Sequence, residues 1–343
     1  MEEIIFDDVG SYPLPEGVSK EWVQNAFKTR AEDEKLFTVI NDSFQQKIDA
    51  GVEVPNYPQC QDVFMFLEII RDPDCCDNPY EVKLECARIE ELEAIEEVAK
   101  TYKEQFGEIL KVRICVTGPT ELYLREFGGT QYADIYSLFA KSVNKLVRNS
   151  MKSARNFKIA TVSIDEPSIG LNPELAFDEN DIISALTDAS KSGSKLGADV
   201  GIHLHSPLYY KLACETPTIN VIGVESASKP SSLELIDKKV LESTDSFLRL
   251  GIVRTDISTL AGILNEKHRT NVWKDQQYFK EIITDFETPA VITKRLELAY
   301  GRFGNLIKYA GPDCGLGSWP DQRIAFALLS NAARCIKDFR KSL

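Results

Sequence analysis

The feature that most constrains this chain is an alternation. Eight short runs rich in apolar and β-branched residues lie at 3–9, 51–56, 111–117, 158–165, 199–205, 219–225, 247–253 and 305–311. Between them run segments whose apolar residues recur at helical spacing, such as YEVKLECARIEELEAIEEVAKTYKEQF and PDQRIAFALLSNAARCIKDF. Strands that alternate with helices pair in parallel through crossover connections, so the expected class is α/β. Eight such units in 343 residues predict a (β/α)8 TIM-type barrel forming a single domain over 1–343. The longer early connections, roughly 17–50 and 60–105, are read as helical insertions. A doubly wound open sheet is the other arrangement that such units adopt.

The barrel reading explains where the polar residues fall. Gly10 and Ser11, Asn56, Thr117, Asp165 and Glu166, His203 and His205, Glu225, Asp256 and Cys314 all stand at the C-terminal ends of the runs. Barrel enzymes keep their chemistry on that face. The chain has three histidines, and two of them form the IHLH stretch at 202–205. At i and i+2 on a strand, His203 and His205 share a face. They are either metal ligands or an interior pair satisfied by hydrogen bonds. Glu225 ends the next apolar run, and Cys314 stands in the glycine- and proline-rich YAGPDCGLGSWP. Imidazole, carboxylate and thiolate form a zinc ligand set, and an open position marks a catalytic centre. Asp165 and Glu166 suit a substrate ammonium or acid–base work, with helix capping as the alternative. Gly10 and Ser11 offer backbone and hydroxyl donors to a carboxylate.

Bulk properties remove several classes. A net charge of −13, with no basic cluster interleaved with aromatics, excludes a nucleic-acid partner. No run approaches the ~18 apolar residues of a membrane span, so no membrane association is expected. The start, MEEIIFDDVGSYP, lacks the cationic and apolar regions of a secretory signal. Eight cysteines scattered without a framework read as reduced thiols. The expected location is cytoplasmic.

Taken in order, VGSYP, TGPT, IDEP, IHLH, GVES and PDCGL resemble the C-terminal catalytic barrel of cobalamin-independent methionine synthase. The resemblance spans nearly the whole chain, and IDEP and PDCGL are its most specific parts. The chain has no room for the additional N-terminal barrel of the folate-dependent enzymes. It is therefore similar to the short, single-barrel type, which takes its methyl group from a corrinoid. The resemblance implies a zinc-dependent methyltransferase acting on homocysteine, with methylcobalamin or a methylated corrinoid protein as donor. It implies zinc on His203 and/or His205, Glu225 and Cys314, an amine contact at Asp165, and carboxylate contacts at Gly10 and Ser11. The family's second amine-binding glutamate is replaced by Tyr57 or Gln59, depending on alignment. The family's His-x-Cys pair has lost its cysteine, either to His205 or, in the longer register, to Pro207. Asp256 stands near the place of a proton-delivering histidine, whose loss suits a corrinoid donor. The early insertions are expected to dock that bulky donor. Methylation of another thiol, such as coenzyme M, and a non-catalytic zinc- or thiol-binding role are the rival readings.

Overall fold

The computed structural model describes residues 3–61 and 64–343; residues 1–2 and 62–63, the latter inside the second expected insertion, lie outside the described residues. Seven of the eight expected runs pair into one parallel, curled sheet. In chain order the strands are β1 (Ile5–Phe6), the antiparallel hairpin β2 (Cys76–Asn78) and β3 (Glu81–Val82), β4 (Leu110–Thr117), β5 (Phe157–Asp165), β6 (Asp199–Leu204), β7 (Val221–Val224), β8 (Phe247–Val253) and β9 (Ile307–Pro312). The parallel sheet has the order β1-β9-β8-β7-β6-β5-β4, and the hairpin stands apart from it. The helices are α1 (Lys20–Thr29), α2 (Asp33–Asp49), α3 (Met65–Arg71), α4 (Glu91–Phe106), α5 (Pro119–Phe127), α6 (Ala133–Ser153), α7 (Glu179–Lys195), α8 (Tyr210–Glu215), α9 (Lys238–Ser243), α10 (Ile257–His268), α11 (Pro289–Phe303) and α12 (Gln322–Ser342). Among the described residues no helix is long and apolar enough to cross a membrane.

The expected strand at 51–56 is the exception. It makes only isolated parallel bridges, Val54 to Asp7 beyond β1 and Asn56 to Arg113 in β4. Pro55 sits between them and has no N–H to donate, so a regular ladder cannot run through it. Its carbonyl still accepts from the Arg113 amide at 3.0 Å. This segment therefore lies between the two edge strands and touches both.

Alternation along the strands divides the sheet into two chemical faces. Val162, Ile164, Val200, Ile202, Leu204, Ile222, Val224, Leu248, Leu250 and Ile252 are buried in the apolar core. Residues of the opposite parity contact one another inside the curl. Tyr309 on β9 donates to Asp199 on β6 at 2.6 Å and accepts from Thr161 on β5 at 3.1 Å. Asp7 pairs with Arg249 at 2.9 Å and also with Arg113, all three buried. A second buried ion pair shapes the rim. Lys47 of α2 spends its three donors on Asp8 (2.7 Å), the Gly10 carbonyl (3.0 Å) and the Asn56 carbonyl (2.9 Å). It thereby ties the loop after β1 to the 54–56 segment.

Candidate functional site

Three stretches of the C-terminal rim, at the ends of β6, β7 and β9, bring four donor atoms together. His203 is the fifth residue of β6 and His205 follows its end; Glu225 follows β7 directly, and Cys314 comes two residues after β9. One ligand atom from each lies within 4.8 Å of all the others, the one group among the described residues with this arrangement. Glu225 Oε1 is 3.7 Å from His203 Nε2 and 3.5 Å from His205 Nε2. Cys314 Sγ is 3.9 Å from His205 Nε2. The imidazole rings stand edge to face, with centroids 5.1 Å apart. His203 Nε2 is buried and has no hydrogen-bond partner.

Burial sets the protonation of all four. It holds His203 well below its ordinary range, helped by His205 and by the Arg249 and Arg113 guanidiniums, and it lowers His205 as well. Both imidazoles are neutral at pH 7 and their nitrogens are free to ligate. Burial, with the nearby Asp313 carboxylate, lifts Glu225 to about 7. Burial and Glu225 push the Cys314 thiol to about 12. These are groups from which a divalent cation would displace protons. The group can hold a metal ion.

The cluster adjoins a cavity of about 530 Å³ whose wall includes Gly10, Ser11, Gln59, Asp165, both histidines and Cys314. Asp165 ends β5, opposite His203 in the ladder, and accepts from Ser163 Oγ at 2.7 Å. Burial raises its carboxyl to about 6, and the Arg113 guanidinium pulls against that rise. Gly10 has φ +60°, and a Cβ there would lie 2.3 Å from Gln59 Oε1. Ser11 is gripped by the turn that carries Cys314: its carbonyl accepts from Leu316 N at 2.7 Å and its Oγ from Gly317 N at 3.1 Å. Lys20 and Gln24 of α1, from the first expected insertion, stand exposed at the mouth, and Phe64 of the second lines it.

The remaining expected residues go elsewhere. Glu166 is fully buried and does not line the cavity. Its carboxylate oxygens accept from Thr120 N (2.9 Å) and Glu121 N (2.8 Å), so it caps α5, which was the alternative reading. Asp256 is also absent from the wall and pairs with Arg254 Nε (2.9 Å) and Nη2 (2.7 Å). Between Tyr57 and Gln59, only the glutamine reaches the cavity; Tyr57 is buried and donates to the Cys115 carbonyl at 2.7 Å. Sequence reasoning missed Lys47, Arg113, Arg249 and Asp313. An interior charge within an apolar run, as in KVRICV and FLRLGIV, is the signal that would have found the two arginines.

No protein-family model and no curated protein matches the chain. Solved structures do. A B12-independent methionine synthase from Shewanella sp. W3-18-1, determined in complex with selenomethionine, aligns with a TM-score of 0.59 at 14% identity. That alignment covers 99% of this chain and 100% of the other. A methyltransferase from Methanosarcina mazei aligns with a TM-score of 0.57, also at 14% identity, over 99% of this chain and 95% of the other. What is shared is the fold.

Proposed function

We propose that the protein is a zinc-dependent S-methyltransferase that forms methionine from homocysteine, with methylcobalamin or a methylated corrinoid protein as donor. The observation that carries this reading is the convergence of His203, His205, Glu225 and Cys314 beside a cavity that also presents Asp165 and the Gly10–Ser11 loop. The methionine synthase and methyltransferase folds that the chain resembles support it. The sheet is read here as a (β/α)8 barrel with 54–56 as its eighth stave, on the strength of that segment's bridges to both edges. The proposed setting is the cytoplasm.

The donor set fits zinc. Two neutral imidazoles, a carboxylate and a thiolate match its preferences in softness, and the buried His203 Nε2 has no competing partner. Bound there, zinc supplies the Lewis acidity that keeps a thiol ionised at neutral pH. Asp165 accepts the acceptor's ammonium, and Arg113 keeps its carboxyl ionised against burial. The Ser11 hydroxyl and the neighbouring backbone hold the acceptor's carboxylate. The acceptor sulfur forms its bond to the methyl carbon as the carbon–donor bond breaks, and the electron pair leaves on the donor. Two imidazoles where the family has one and a cysteine make the centre less negative and the thiolate less nucleophilic, which suits a reactive donor such as methylcobalamin. Neither Glu166 nor Asp256 has a part in this scheme.

The test is an assay of purified protein with methylcobalamin and a panel of thiols. Methionine formed from homocysteine is the expected product. Preferred methylation of coenzyme M would replace the acceptor, and zinc binding without transfer to any thiol would leave a non-catalytic zinc-binding protein.

A further inference from the structure

Glu225 and Cys314 come from strands that do not touch. β8 lies between β7 and β9, and the β7–β8 ladder ends at Val224 and Leu250. Beyond that level, the ladder does not set how far the loop after β7 stands from the turn after β9. A side chain does. Asp313, 2% exposed, reaches across β8 and accepts from Ala227 N at 2.9 Å through Oδ1 and from Ser228 N at 2.7 Å through Oδ2. The crossing requires Gly251 on β8, where a Cβ would lie 1.8 Å from Asp313 Oδ1. Ser226 Oγ donates to the carbonyl of that same glycine at 2.7 Å. Asp313 N is held by the Val253 carbonyl (2.8 Å) and Cys314 N by Thr255 Oγ1 (3.1 Å). The residue before Cys314 thus grips the second and third residues after Glu225, over a gap that glycine keeps open.

We infer that Asp313 is a positioning residue that sets the separation of Glu225 and Cys314, and thereby how tightly the site holds its metal; this rests on the zinc reading above. The residue type follows from its partners. Both oxygens face N–H donors, so an asparagine would satisfy one and oppose the other. Burying a carboxylate beside Glu225 is costly, and the two charge-assisted bonds offset that cost only while both are made. Outer groups that orient ligands typically control metal affinity by roughly 10–100-fold.

The test compares zinc dissociation constants, measured by chelator competition, and the thiolate-to-cobalt absorption band of the Co²⁺-loaded protein. Glu166 supplies the control, because its carboxylate makes the same kind of bonds to Thr120 N and Glu121 N away from the cluster. Asp313→Asn is expected to weaken zinc roughly 10–100-fold and to shift the cobalt band. Glu166→Gln is expected to lower the melting temperature while leaving zinc affinity and the band unchanged. Ser226→Ala, which loosens the same loop mildly, is expected to weaken zinc several-fold, and it decides the matter if Asp313→Asn does not fold. Wild-type affinity and an unshifted band in the folded Asp313 variant, or in Ser226→Ala where the former cannot be made, overturn the inference. A wild-type protein that binds no zinc overturns the metal reading itself, which is a separate result.

Discussion

The sheet has a regular side and an irregular one. From β5 to β9 each strand pairs in parallel with the next, and this side carries the whole four-donor group together with Asp165. From β1 to β4, Pro55 reduces one expected strand to two bridges, and α1 and Phe64 border the cavity. That side supplies Gly10, Ser11, Gln59 and Lys20, which line the cavity without joining the cluster. Ligand atoms that must converge within a few ångströms need the rigidity of paired strands. Groups that recognise the rest of a substrate can sit on loops, provided something buried holds them, as Lys47 holds Gly10.

Variants can break this division of labour. The largest effect belongs to the regular side: Cys314→Ser should weaken zinc at least about tenfold and abolish methyl transfer, as should stripping the metal with a chelator. His203→Ala and His205→Ala should both lose zinc, with His205 the costlier for activity because it stands nearer the cavity mouth. Metal analysis of the purified variants checks this, and full occupancy in Cys314→Ser would remove the cluster from the account.

Asp165→Asn comes next. Replacing a charge-assisted bond to an ammonium by a neutral one should raise the homocysteine KM by roughly 10–100-fold, with zinc content unchanged. An acceptor lacking the amino group should be affected little. The pH profile sharpens the point. The Asp165 carboxyl, raised to about 6, protonates as pH falls through that value and loses its hold on the ammonium. Wild-type KM should therefore rise below about pH 6, and Asp165→Asn should lack that rise.

On the irregular side, Gly10→Ala must accommodate φ +60° and a 2.3 Å approach to Gln59 Oε1. We expect a KM increase of several-fold and a stability loss of about 1 kcal/mol, with metal affinity intact. If this variant lost metal as readily as Cys314→Ser, the two sides would not be separable. The smallest effect is expected for Asp256→Asn, which loses a partly exposed ion pair with Arg254 worth roughly 0.5 kcal/mol. Turnover should stay at the wild-type rate, and a large fall would restore the proton-delivery role expected from its position.

Much of the site was legible in the chain because its signals are local. β-Branched runs alternating with amphipathic segments determine the class, and i, i+2 spacing puts two histidines on one face whatever surrounds them. Polar residues at run ends pointed to the rim where the four donors meet. The fates of Asp165 and Glu166 were half legible. Adjacent residues at a strand end point to opposite sides, so one had to face inward and the other toward the helices, but the pattern alone did not say which. Choosing between Tyr57 and Gln59 required the actual path of the chain past Pro55 and Pro58. Lys47, the Asp7–Arg113–Arg249 network and the reach of Asp313 over Gly251 were decided only by the tertiary structure. Each joins groups 9 to 242 residues apart. A buried charge takes its meaning from partners that local pattern does not hold, because what stabilises it is the set of atoms that folding places around it.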